Sequence, residues 1–268
     1  MIKHMLSSAL FAGFAVGLLT ALLQYAFVEK DILLAEQYES GALVHFAPGP
    51  GAEGHVAMGA GNTAATETGA PAGTADEMPA TSTAAENTEA GHDQDKHQAD
   101  AETPPLQRHA KTVFFAIVTY TGYALLLVAA YAFAGQFGQQ ISVQTGLLWG
   151  LAGFAAFQLA PALGLEPEMP GTPSANLDTR QWWWVATALT TVAGLGLLAY
   201  GKGLVARLAG VALLALPHAI GAPELDSYSG VTPPELASSF AARTLGVGLI
   251  AWVTLGGLLA WFWTGKET

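Results

Sequence analysis

Six long apolar blocks alternate with polar segments along this chain, and one polar segment is far longer than the others. The blocks are Met5–Val28, Thr112–Ala134, Val143–Leu163, Trp182–Tyr200, Leu204–Gly221 and Phe240–Trp263. A helix rises about 1.5 Å per residue, so about 20 apolar residues cross a hydrocarbon core of about 30 Å. The pattern therefore predicts an all-α integral membrane protein with about six transmembrane helices. The first block exceeds the apolar core of a signal peptide, about 7–15 residues, and no Ala-x-Ala site follows it. It reads as a retained span, with Gly13 and Gly17 spaced for close contact with another helix. The fifth block is the shortest and is interrupted by Pro217.

The long interval divides in two. Glu29–Phe46 continues the first span as a short amphipathic segment containing Leu34-Ala-Glu36-Gln-Tyr-Glu39. From residue 47 to 113 there is no aromatic residue, and Leu106 is the sole leucine among many Ala, Gly, Thr, Pro and acidic residues. Such a segment buries too little apolar area to offset the entropy of ordering it, which predicts disorder. The predicted organisation is a first transmembrane helix with its extension (1–46), a disordered acidic, histidine-containing loop (47–111) and a five-helix transmembrane bundle (112–268).

Charge adds a direction. The chain is 12% charged with a formal net charge of -11. Of its 21 acids, 14 lie in residues 29–102, three in 166–178 and three in 224–235, all following odd-numbered blocks. Five of the seven histidines, His45, His55, His92, His97 and His109, lie in the long interval. Six spans place these acids and histidines on one side of the bilayer. The opposite side carries Lys3, Lys202, Arg207 and Lys266, and the positive-inside rule makes it cytoplasmic. The expected location is the cell inner membrane, multi-pass, with the acidic loops extracytoplasmic.

Several classes are excluded. No basic patch exists to neutralise phosphates, so nucleic acid is not a partner. The absence of cysteine removes thiolate metal sites, disulfides and cysteine nucleophiles. Any metal bound here takes nitrogen and oxygen ligands, which suit Co, Ni, Zn or Mn. No Walker A, GxSxG or HExxH motif occurs, and the chain does not read as an enzyme.

The chemistry-bearing candidates cluster near the acidic side. The third and fifth blocks share a pattern: Leu151-Ala-Gly with Pro161, Gly164 and Pro167-Glu168, and Leu208-Ala-Gly with Pro217-His218, Gly221 and Pro223-Glu224. Pro161 and Pro217 lack N–H groups and free the carbonyls of Phe157 and Leu213. In hydrocarbon such carbonyls either find a local partner or line a wet cavity. His218 reads as the one ionisable residue away from a span end, either an ion ligand or a neutral packed histidine. Glu36, Glu39, Glu168 and Glu224, with Glu166, Asp178, Asp226 and Glu235, would form an acidic vestibule or simply solubilise helix ends. His92 and His97 lie five apart, which is not a helical zinc spacing. Gln24, Gln158, Thr187, Thr190 and Thr191 are the remaining polar groups within spans, expected to hydrogen-bond between helices at about 0.6 kcal/mol each.

The stretch Gly146-Leu-Leu-Trp149-Gly-Leu-Ala-Gly-Phe-Ala-Ala-Phe, with Ala160-Pro-Ala-Leu-Gly-Leu-Glu-Pro-Glu-Met-Pro-Gly171, resembles the predicted cobalt transporter subunit family CbtA. So do Arg180-Gln-Trp-Trp, Pro217-His218-Ala-Ile-Gly221-Ala-Pro223-Glu224, Pro234-Glu-Leu-Ala and Leu34-Ala-Glu36-Gln-Tyr-Glu39, whereas residues 47–108 match nothing in the family. The resemblance implies cobalt uptake linked to cobalamin synthesis, beside a small histidine-bearing membrane subunit, CbtB, within the lipid. A homo-oligomer is a further assembly to test. The expected metal contacts are His218, Glu224, Glu168, Glu36 and Glu39, with Co²⁺ as cargo and no permanently bound cofactor. Two rivals stand beside this: a non-transporting scaffold that docks a partner through its external loop, and a lipid-modifying enzyme using His218 with a carboxylate.

Overall fold

The computed structural model describes residues 2–45, 105–225, 227 and 229–264. The 47–108 loop with His55, His92 and His97, together with Asp226, therefore lies almost wholly outside the described residues. Among those described, all regular structure is helical. In chain order it comprises α1 (Ile2–Phe27), α2 (Glu29–Glu39), α3 (Pro105–Gln136), α4 (Val143–Phe154), a π-helical turn (Ala155–Leu159), α5 (Ala160–Ala162), α6 (Leu177–Tyr200), α7 (Gly203–Ile220) and α8 (Pro234–Thr264). Six helices are long and apolar enough to cross a membrane: Met5–Phe27, Leu106–Gln136, Val143–Ala162, Leu177–Tyr200, Gly203–Ile220 and Pro234–Thr264. The all-α, six-span expectation holds. The fifth span is helical throughout despite Pro217.

Local signals explain several helix starts. Ser142 and Thr145 form a reciprocal capping box at α4. The Asn176 side chain accepts from the backbone N–H groups of Asp178 and Thr179 at 3.0 and 3.3 Å, capping α6. Pro234 opens α8 at a position where its missing N–H costs nothing. Gly221, at φ +91°, terminates α7 in a conformation that a side chain would strain.

Helix association inside lipid gains little from hydrophobicity, because lipid tails are equally apolar, so close backbone approach has to hold the spans together. Glycines provide it. A Cβ added at Gly13 or Gly17 would stand 2.5 Å from the Cα of Thr121 or Ile117, as their spacing predicted. These pairings make α1 and α3 antiparallel neighbours. Gly146 and Gly150 bring α4 against Gly256 and Trp252 of α8, and Gly194 and Gly210 join α6 to α7 through each other's carbonyls. The Tyr131 hydroxyl of α3 donates to the Gly256 carbonyl at 2.9 Å and ties a third helix to the α4–α8 crossing. Around these contacts sits the main core: Val16, Tyr120, Leu127, Tyr131, Phe154, Trp252, Leu255 and Leu259. Large apolar residues such as Phe11, Phe14, Leu22, Phe114, Leu148 and Leu208 are exposed, as lipid-facing side chains are.

The two prolines behave differently, which separates the two halves of the sequence repeat. Before Pro161 the chain widens into a π turn, and the Ala160 N–H reaches back five residues to the Ala155 carbonyl. Pro161 cannot donate, so a one-residue shift of register there forfeits no bond of its own. Pro217 instead lies inside an uninterrupted α7, one turn from its end.

Candidate functional site

Alternation of the six spans puts one end of the bundle under α2, the 163–176 segment and the 221–233 segment. All nine described acids lie at this end: Glu29, Asp31, Glu36, Glu39, Glu166, Glu168, Asp178, Glu224 and Glu235. The segments pack into a cap. Met169 is buried with Val28, Ala35, Phe240 and Val247, which anchors the 163–176 segment between α2 and α8. The Thr232 hydroxyl donates to the Pro170 carbonyl at 3.2 Å and joins the two loops. Gly171, at φ +76°, leaves room for Val231 and the Glu39 side chain above it.

The exits of the third and fifth spans meet on one tryptophan. A Cβ at Gly164 would touch both Ala222 and the Trp183 ring. His218 stands edge-on to the same ring, centroids 6.1 Å apart. His218 occupies the last turn of α7 and is exposed, so it lies at a span end and not within one. Glu224 follows on the surface of the adjoining loop, also exposed. Glu168 is engaged by Arg180, Nη2 to Oε1 at 2.6 Å. Glu36 is half-buried on α2, and Glu39 is exposed at its last position. Among the described residues no three His, Asp or Glu side chains converge in a manner that would hold a metal ion. The five expected contacts are thus spread over one face and not gathered into a coordination shell.

The most deeply buried charged residue among those described is Asp31, which sequence reasoning did not single out, and it pairs with Arg243. Asp31 is 5% exposed, and its Oδ1 accepts from Arg243 Nη1 at 2.6 Å. The same nitrogen reaches the Phe27 carbonyl at 3.4 Å. Asp31 Oδ2 is buried and has no partner. Arg243 reads as a span-end residue when the last helix is started at Phe240. Pro233-Pro234 is the signal that starts it earlier, and it puts Arg243 about 13 Å along α8. Nearby, the Tyr25 hydroxyl donates to the His109 carbonyl at 2.8 Å, and His109 Nδ1 is 3.4 Å from Glu29.

The polar groups inside the spans also depart from expectation. Thr190 bonds within its own helix to the carbonyls of Ala186 and Thr187. Thr187 Oγ1, Thr191 Oγ1 and Gln158 Oε1 are buried with no hydrogen-bond partner. Interhelical hydrogen bonding therefore does not account for the threonines or for Gln158 Oε1, whereas the Gln158 amide does meet the Tyr120 hydroxyl of α3.

A family model described as a probable cobalt transporter subunit (CbtA) matches residues 2–264. The chain belongs to the CbtA family. Membership makes it a transporter subunit, which implies protein partners, and the six apolar helices make it a multi-pass membrane protein. Neither a curated protein nor a solved structure matches the chain.

Proposed function

We propose that this chain is the membrane subunit that passes Co²⁺ into the cell for cobalamin synthesis. It acts in the inner membrane beside a small histidine-bearing membrane subunit, with the acidic cap facing outward. The observation that carries this reading is the family match over nearly the whole chain. The structure supports it with an anionic cap over six spans, an arrangement that concentrates cations at one mouth. In this reading Glu36, Glu39, Glu168, Glu224 and His218 are weak, dispersed contacts that collect a hydrated ion. Glu168 has to release Arg180 to take part.

Uptake of radiolabelled Co²⁺ into vesicles holding this chain, with and without the small partner, tests the proposal, with Ni²⁺ and Zn²⁺ as competitors. Saturable uptake that excess Co²⁺ suppresses more strongly than Zn²⁺ is expected. Vesicles of the two subunits that accumulate no Co²⁺ above protein-free vesicles sink it.

A further inference from the structure

Unpartnered polar atoms line one side of α8. Arg243 leans on Asp31, whose Oδ2 is buried and orphaned. Thr244 follows, its buried Oγ1 likewise without a partner. One turn on, Gly248 has no side chain, and the Gln158 amide sits against its Cα with Oε1 orphaned. The Tyr120 hydroxyl of α3 faces both Gln158 and Thr20 of α1. One turn further, Trp252 closes the file: it stacks on Phe157 at 5.6 Å and 5° and meets Tyr123 at 4.5 Å. Four-residue steps along a helix share a face and advance about 6 Å. The groups thus descend from the cap to the middle of α8 and stop at an aromatic plug.

Each buried polar atom left unpaired costs about 1–3 kcal/mol, and an apolar residue of like shape would avoid that cost. Two such oxygens, on Thr244 and on Gln158 of the π turn packed at Gly248, lie one turn apart along one face of α8, and the third, on Asp31 of α2, lies beside Arg243, the residue before Thr244. The π turn places Gln158 at that face, and Gly248 makes the space.

We infer that Asp31, Thr244, Gln158 and Tyr120 form a binding site for a divalent cation between the cap and the aromatic plug. The inference rests on the transport reading and gives it an intramembrane station. An arriving cation takes the Asp31 carboxylate from Arg243, whose half-exposed guanidinium holds it through a single nitrogen. Below, the ion meets neutral oxygens of amide, hydroxyl and phenol, which replace part of its water shell. Neutral ligands hold it weakly enough to let it leave. Phe157, Trp252 and Tyr123 then have to part for it to go further.

The chain has no cysteine, so single cysteines can be read without background. Thr244→Cys and Gln158→Cys, in the full chain with its partner in vesicles, should react with a hydrophilic cationic thiol reagent, and Co²⁺ should slow that reaction. Leu255→Cys, below the plug, should stay unreactive, and Ser238→Cys, on the exposed face, should react regardless of Co²⁺. Silence at both 244 and 158, or reactivity there that Co²⁺ leaves unchanged, overturns the site. Gln158→Leu supplies a second readout: thermal stability equal to or above that of the parent, with uptake lower by roughly tenfold or more. Uptake at the parental rate in that variant also overturns the site while leaving the transport reading intact. Protection at 244 and 158 in vesicles that take up no Co²⁺ would keep the site and remove the transport reading.

Discussion

Arg243 and Asp31 show how much depends on single side chains here. Asp31 is only 5% exposed, and the Arg243 guanidinium is the cation that stands beside it. Removing one partner of a buried pair costs about 3–5 kcal/mol, and the half-exposed arginine moves this pair to the lower end, about 3 kcal/mol. Arg243→Ala should therefore lower the thermal midpoint of the detergent-solubilised chain. Adding Asp31→Asn should recover part of the loss, because the uncompensated charge goes with it. Equal midpoints for parent and Arg243→Ala would show that the pair does not hold α2 to α8. Neither residue stands out in the one-dimensional pattern. Asp31 is one acid among 14 in its interval, and Arg243 looks like a helix-end anchor until the start of α8 is known.

Among elements, the π turn and the glycine contacts carry the most information. Pro161→Ala restores an N–H that can bond the Phe157 carbonyl, so a regular α-helix competes with the wide turn. Gln158 would then rotate away from Gly248. Co²⁺ uptake should fall while thermal stability holds or rises, and unchanged uptake would show that the wide turn is not needed. Gly13→Leu acts in the opposite sense, because its side chain meets the Thr121 backbone and α1 has to separate from α3. Overpacking of this kind costs about 1–3 kcal/mol, readable as a lower thermal midpoint. A variant as stable as the parent would show that the α1–α3 contact yields freely. The close contact at Gly13 and Gly17 was legible from spacing alone. The π turn was not: a proline shows that a bond is lost, and packing against α8 decides how the helix adjusts. The same limit explains why two similar proline motifs end in different local structures.

For the assembled bundle, the sorting of charge is the dominant property. Nine described acids at one end of an apolar bundle set up a negative potential that attracts cations over about a Debye length, about 10 Å at 0.1 M salt. Raising the ionic strength with an inert salt should therefore raise the apparent KM for Co²⁺ and leave the maximal rate unchanged. A KM indifferent to salt would show that the cap does not gather the ion. The expected vestibule divides here into what a pattern can say and what it cannot. That Glu36, Glu39, Glu168, Glu224 and His218 share a face follows from counting spans. That Glu168 is occupied by Arg180, that His218 lies exposed against Trp183 and that none of these groups close into a ligand cluster follows only from the fold.

The linear order of residues was enough for the six spans, their alternation, the single anionic end and the family, because hydropathy and span parity act along the chain and need no knowledge of neighbours. Folding in three dimensions alone decided which helices touch, where the backbone widens and which polar atoms meet at Gly248. Those outcomes depend on residues more than 80 positions apart fitting together, as the Gln158 amide fills the space that the missing side chain of Gly248 leaves. No local periodicity encodes that fit.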